Sequence, residues 1–141
     1  MVDLWSKFRL NVCNNLPQAI LGAGVGCYRD SEHMRIISDA LKSELEAVAT
    51  AKGIDLSLAE GPSVYGSAVP PSARYSTLQD LDSGRHTEID MFSGALVRMG
   101  RELGIPMPYN EFAYHMIKAL EEKNDGLFDY EGRENERTCA R

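Results

Sequence analysis

The chain has 141 residues, 43% of them apolar and 26% charged, which is the size and composition of one globular domain and excludes collagen, a disulfide scaffold and a wholly disordered chain. Fifteen basic against twenty-one acidic residues leave a net charge of −6. With no run of Lys and Arg longer than two, the sequence implies no nucleic-acid partner, because a phosphate backbone has little to hold.

The first predicted helix runs from Asp3 to about Leu16, where Trp5, Phe8, Val12 and Leu16 recur every three or four residues and share one apolar face. Lys7, Asn11 and Asn15 form a second, polar stripe beside it, so that one helix offers an amine and two amides to a ligand. Pro17 disfavours helical geometry at Leu16 and is expected to end or kink the helix there. The run Gly22-Ala23-Gly24-Val25-Gly26 follows as a flexible connection.

Asp30 is the predicted N-cap of a long helix that carries Met34, Ile37, Leu41, Leu45 and Val48 along one face and closes at Lys52-Gly53. Between Ile54 and Pro71 the period is lost, and Gly61, Pro62, Gly66, Pro70 and Pro71 mark a loop. Helix is predicted again over Ser72 to Leu81, and from about Thr87 to Leu103 with Ile89, Phe92, Leu96, Met99 and Leu103 inward. Thr87 is the expected cap, with Asp90 three residues on, and Gly104 closes the helix. A last helix starts at Asn110 and is expected to bury Phe112, Met116 and Leu120, whereas Glu121 to Asp125 reads as a solvated face. The tail from Glu131 to Arg141 is nearly devoid of apolar residues, and disorder is expected there. No segment alternates long enough for a strand, so the predicted fold is all-α, with about five helices.

Val12 to Tyr28 lacks charge but is cut by Asn14, Asn15, Pro17, Gln18 and three glycines, and no membrane span is predicted. The N-terminus lacks a signal pattern, which makes the cytoplasm the expected compartment. Cys13, Cys27 and Cys139 form no C-x-x-C pair and read as reduced thiols, Cys13 as a small packing residue. His33, His86 and His115 lie apart, on exposed or core-edge positions, and no metal site is expected. The glycine run has the spacing G-x-G-x-G with no strand before it, which favours an inter-helix loop over a dinucleotide turn.

Two features ask for more than packing. Asparagines are poor helix formers, so two of them at one turn's spacing beside Lys7 point to a bound ligand as well as to solvent. Thr77 to Asp90 concentrates polar side chains immediately before an apolar-periodic helix. Within that stretch Leu78-Gln79-Asp80 and Gly84-Arg85-x-Thr87-Glu88-Ile89-Asp90, followed by Gly94, Arg98, Gly104, Pro108 and Asn110, resemble the C-terminal domain signature of the ketopantoate reductases (2-dehydropantoate 2-reductases). The opening Leu4-Trp5-Ser6-Lys7-Phe8 with Asn11 and Asn15 resembles the start of the same domain, so the likeness runs from about Leu4 to Lys123.

The resemblance implies a helical bundle like the C-terminal domain of 6-phosphogluconate dehydrogenase, occupying residues 1–125 with 126–141 as a flexible tail. It further implies reduction of the ketone of ketopantoate, or of a related 2-keto acid, with NADPH bound mainly by an N-terminal Rossmann domain outside this sequence. The isolated chain is then expected to be inactive. Matched position by position, the catalytic residues are Lys7 and Glu88, and the substrate-binding residues are Asn11, Asn15 and Ser76. The chemistry agrees, since hydride arriving at a ketone carbon leaves an alkoxide that an ammonium can neutralise and protonate. The sequence departs from the family at Leu16-Pro17-Gln18-Ala19, where the proline is displaced by one residue, and at Ser93, where many members have Asn. A non-catalytic helical module for dimerisation or docking stays open as an alternative, and a homodimer is an assembly either reading allows.

Overall fold

The computed structural model describes residues 2–56, 70–128 and 130; among these every regular element is helical. In order they are α1 (Val2–Arg9), the π-helical segment π1 (Leu10–Asn15), α2 (Leu16–Leu21), α3 (Cys27–Asp30), α4 (Glu32–Ala51), α5 (Ser76–Asp82), the π-helical segment π2 (Asp90–Gly94), α6 (Ala95–Leu103) and α7 (Pro108–Asn124). The all-α expectation holds. Most of the loop predicted between Ile54 and Pro71, the tail from Glu131 and Cys139 lie outside the described residues.

Trp5, Phe8, Val12 and Leu16 are all buried, as their spacing predicts. The chain does not break at Pro17, however; it widens into π1 and continues as α2 with the proline in its first turn. Proline has no N–H to give the carbonyl four residues back, which belongs to Cys13. That carbonyl accepts instead from the Ser38 hydroxyl of α4, at 3.0 Å. One residue further on, the Tyr28 hydroxyl stands between the Gln18 N–H, from which it accepts at 3.0 Å, and the Asn14 carbonyl, to which it donates. The irregular middle of this helix is therefore hydrogen-bonded by side chains from α3 and α4.

The glycine run is a loop between helices, but a packed one. Val25 N–H donates to the Ala73 carbonyl and Gly26 N–H to that of Pro71, both at 2.9 Å, while the buried Gln18 amide grips Ala73 and Tyr75. A Cβ at Gly24 would lie 2.2 Å from the Pro71 oxygen, so only glycine lets the two backbones approach. Because residues 72–75 serve this pairing, α5 begins at Ser76 and not at Ser72.

The cap of α4 is Ser31, whose Oγ accepts from Met34 N–H, and not Asp30, which pairs with Arg29. Met34, Leu41, Leu45 and Val48 are buried as expected, while Ile37 is exposed. Gly53 follows the helix at φ +76°, the left-handed conformation predicted there. In α7 the inward face is one residue off the prediction. Ala113, Ile117 and Glu121 are buried, Phe112 is exposed, and Met116 and Leu120 are half-buried. Asn110 is not the cap either, since the helix starts at Pro108 and its first N–H groups, from Tyr109 and Asn110, donate to the Glu44 carboxylate of α4 at 2.9 Å each. One core, built from Trp5, Phe8, Val12, Leu16, Leu41, Leu45, Val48, Leu78, Leu96 and Ile117, joins all the longer helices.

Candidate active site

A pocket of about 160 Å³ opens between the first helix, α5 and the segment leading into π2. It is lined by Asn11 and Leu16, by Ser76, Thr77 and Asp80 of α5, and by Glu88, Ile89 and Phe92. Three of the five residues singled out in the sequence, Asn11, Ser76 and Glu88, thus meet in one cavity although 77 positions separate the first from the last. Both π-helical segments border it, in keeping with the frequency of such widened turns at functional sites.

Lys7 and Asn15 do not line the pocket. Lys7 is exposed one turn before Asn11, and its backbone carbonyl accepts from Asn11 Nδ2 at 2.9 Å. Asn15 is buried and donates from Nδ2 to Asn11 Oδ1 at 2.7 Å. The Asn11 amide is therefore fixed at both ends and keeps one N–H and one oxygen lone pair to offer. Asn15 Oδ1 is itself buried and meets no donor among the described residues.

Ser76 and Thr77 present hydroxyls from the first turn of α5, and Asp80 follows Ser76 at the four-residue spacing that puts both on one face. Asp80 pairs with Arg85 Nε at 3.2 Å, which offsets its charge at the pocket edge. Asp80, Thr77 and the apolar wall of Leu16, Ile89 and Phe92 were not assigned to the site from the sequence; the helical spacing from Ser76 is the signal that reaches Asp80. Phe92 packs edge-on to Phe8 with ring centres 5.9 Å apart, and Phe8 lies 5.4 Å from Trp5, so the apolar wall rests on the core.

Glu88 sits in a bend whose neighbours are tied to α7. The predicted reciprocal cap between Thr87 and Asp90 is absent. Thr87 Oγ1 does accept from Ile89 N–H at 3.2 Å, but the Thr87 N–H and hydroxyl both donate to Glu121, at 2.7 Å each. Asp90 turns outward and accepts from Tyr114 and Lys118 at 2.5 and 3.2 Å. The Tyr114 hydroxyl, and then Lys118, hold the Asp90 carboxyl below its ordinary range, and the same hydrogen bond raises Tyr114. Glu121, read in the sequence as part of a solvated run, is only 3% exposed. Burial pushes the Cys13 thiol up to about 12, as suits an inert packing residue. Among the described residues no three His, Cys, Asp or Glu cluster to hold a metal, and no helix is long and apolar enough to cross a membrane.

A family model described as ketopantoate reductase PanE/ApbA C terminal matches residues 1–121. The chain is 35% identical over 123 residues to the 2-dehydropantoate 2-reductase of Vibrio cholerae, covering 84% of this chain and 40% of that protein. It superimposes with a TM-score of 0.75 and 32% identity on the PanE/ApbA family ketopantoate reductase of Ralstonia eutropha JMP134, covering 87% of this chain and 42% of that one. A D-mandelate dehydrogenase solved with NADH and anilino(oxo)acetate shares the fold at a TM-score of 0.74 and 21% identity, over 88% of this chain and 53% of its own. The chain spans about two fifths of the length of the curated relatives it matches. Fold and pocket together define an all-α domain of the kind that ends 6-phosphogluconate dehydrogenase. The chain belongs to the ketopantoate reductase PanE/ApbA C-terminal family.

Proposed function

We propose that residues 1–125 are the helical substrate-binding domain of an NADPH-dependent 2-dehydropantoate 2-reductase, followed by a tail over 126–141, and that it reduces ketopantoate or a related 2-keto acid to the 2-hydroxy acid. The observation that carries this reading is the meeting of Asn11, Ser76 and Glu88 in one pocket. The glycine run does not fit a dinucleotide phosphate, since the N–H groups of Gly22, Val25, Gly26 and Cys27 all donate to carbonyls of the chain itself. The cofactor, whose chemistry is hydride supply, is therefore assigned to a domain outside the described residues, and the isolated chain is expected to be inactive.

What these residues contribute is binding and a proton. Lys7, exposed one turn from Asn11, has a flexible four-carbon stem that gives its ammonium reach to the pocket mouth. There Nζ neutralises the alkoxide that forms at C2 and hands it a proton. Asn11, held by Asn15 and the Lys7 carbonyl, offers its remaining donor and acceptor to the carboxylate end of the substrate. Ser76 fixes the same end, Glu88 accepts from the substrate hydroxyl, and Leu16, Ile89 and Phe92 cover the carbon skeleton. The reaction is placed in the cytoplasm. A homodimer belongs to the same proposal, supported by the exposed apolar side chains Ile36, Ile37, Met91 and Phe112.

The test is to follow NADPH absorbance with ketopantoate as acceptor, in a protein that carries this chain behind a dinucleotide-binding domain. Turnover that falls sharply with Lys7→Ala supports the reading. Tight NADPH binding without oxidation by any 2-keto acid overturns it and favours the helical interaction module.

A further inference from the structure

We propose that Glu121 is a positioning residue for Glu88: from inside α7 it holds the segment from His86 to Asp90 so that Glu88 faces the pocket. The proposal rests on the reading of that pocket given above. A buried carboxylate in an acidic chain is unfavourable unless hydrogen bonds and opposite charge compensate it, so its partners reveal what it is for. Glu121 Oε2 accepts both the N–H and the hydroxyl of Thr87, at 2.7 Å each, while Oε1 lies 3.5 Å from Lys118 Nζ and 3.9 Å from His86 Nδ1. Lys118 lies in α7 itself, but the bonds to Thr87 do nothing for that helix, since Glu121 sits within it and caps neither end.

Asn124 Nδ2 on this face of α7 donates to the Leu81 carbonyl of α5 at 2.9 Å, and three further ties reach the same short segment as Glu121. Asp125 Oδ2 meets His86 Nε2 at 2.6 Å, and Tyr114 and Lys118 take Asp90. His86 and Thr87 are thus held on one side of Glu88 and Asp90 on the other, and the side chain between them lines the cavity. A segment ordered before the substrate arrives spares binding the cost of ordering it. The contact spans 34 residues of sequence, and Thr87 is the neighbour through which it acts.

The experiment is a titration of this chain with pantoate, followed by NMR at the Asn11, Ser76 and Thr77 amides, together with hydrogen exchange at Thr87 and Ile89. Glu121→Ala should weaken pantoate about tenfold, the scale of losing a charge-assisted hydrogen bond, and speed exchange at both amides. Glu121→Gln keeps an acceptor for Thr87 and should restore both properties to within about twofold. Ile117→Val, which thins the core under α7, should leave affinity unchanged, separating positioning from general destabilisation. If Glu121→Ala fails to fold, Thr87→Val removes the hydroxyl alone and should weaken pantoate several-fold. Undiminished affinity in the Glu121 and Thr87 variants, while Glu88→Ala loses it, overturns the proposal and leaves the pocket reading intact. Undiminished affinity in Glu88→Ala instead overturns the pocket reading. Glu121 is then judged on exchange alone, where protection unchanged in Glu121→Ala overturns its role and protection lost and restored by Gln supports it.

Discussion

Replacing Lys7 by alanine removes the ammonium from the stripe that also carries Asn11 and Asn15. In a protein that performs the reduction, turnover should fall by about a hundredfold or more, the usual effect of deleting a general acid. A steady-state rate within a few-fold of the parent would take Lys7 out of the mechanism. A second expectation concerns the thiols. Burial raises Cys13 to about 12, so at mildly alkaline pH it carries almost no thiolate, and native protein treated with iodoacetamide should be alkylated at Cys13 only after denaturation. Peptide mass spectrometry before and after unfolding reads this directly. Asn11 and Glu88 were legible in the sequence because one stands on a polar stripe and the other in a motif, whereas Ser76 was reached only through the position-by-position match to the family. Glu121 was not, because a carboxylate in the run Glu121-Glu122-Lys123-Asn124-Asp125 looks solvated until its partner, Thr87, is known to lie beside it in space.

Elements were legible where period alone decides and less so where a partner does. The spacing of Trp5, Phe8, Val12 and Leu16 found the buried face of the first helix, yet where an end or a kink is expected at Pro17 the chain widens over Leu10–Asn15 and continues through the proline as α2, with Ser38 supplying the hydrogen bond that proline cannot. Ser38→Ala should therefore cost about 1–3 kcal/mol, the penalty for a buried carbonyl left without a donor, although the substitution only trims a small side chain. Urea denaturation of the two proteins measures it, and a difference below a few tenths would mean that the carbonyl finds another partner. The start of α5 was placed four residues early because the Gln18 amide, invisible as a long-range partner, keeps Tyr75 N–H and the Ala73 carbonyl out of a helix. For α7 the apolar stripes through Phe112 and through Ala113 both fit the helical period. Ala113 and Ile117 face inward, leaving bulky Phe112 outside.

At the scale of the whole molecule, six of the seven α-helices and both π-helical segments among the described residues contribute to a single core that runs from Trp5 to Ile117. Trp5, the one tryptophan of the chain, sits in that core 3% exposed, so its fluorescence and the far-ultraviolet signal of the helices should report one coincident unfolding transition. Two separated midpoints would mean that the pocket-bearing segments form a second cooperative unit. The all-α class was legible in the absence of any alternating strand, but the arrangement was not. Long-range ties such as Glu44 to Asn110 and Glu121 to Thr87 decide which helix ends meet, and neither leaves a local pattern.

The widened turn between Leu10 and Asn15 has a consequence for length changes. An α-helix advances about 100° per residue, and a π turn, which closes on the residue five back, holds about one residue more than an α turn. Deleting one residue from π1 would therefore let the stretch wind as ordinary helix while the residues before it keep their faces, Trp5 and Phe8 toward the core and Lys7 outward. The same deletion inside α4 would swing one end of that helix round by about 100° and take its apolar face out of register. A change of residue count at π1 would thus be absorbed at the edge of the cavity and not passed along the helix, reshaping one wall of the site while sparing the core.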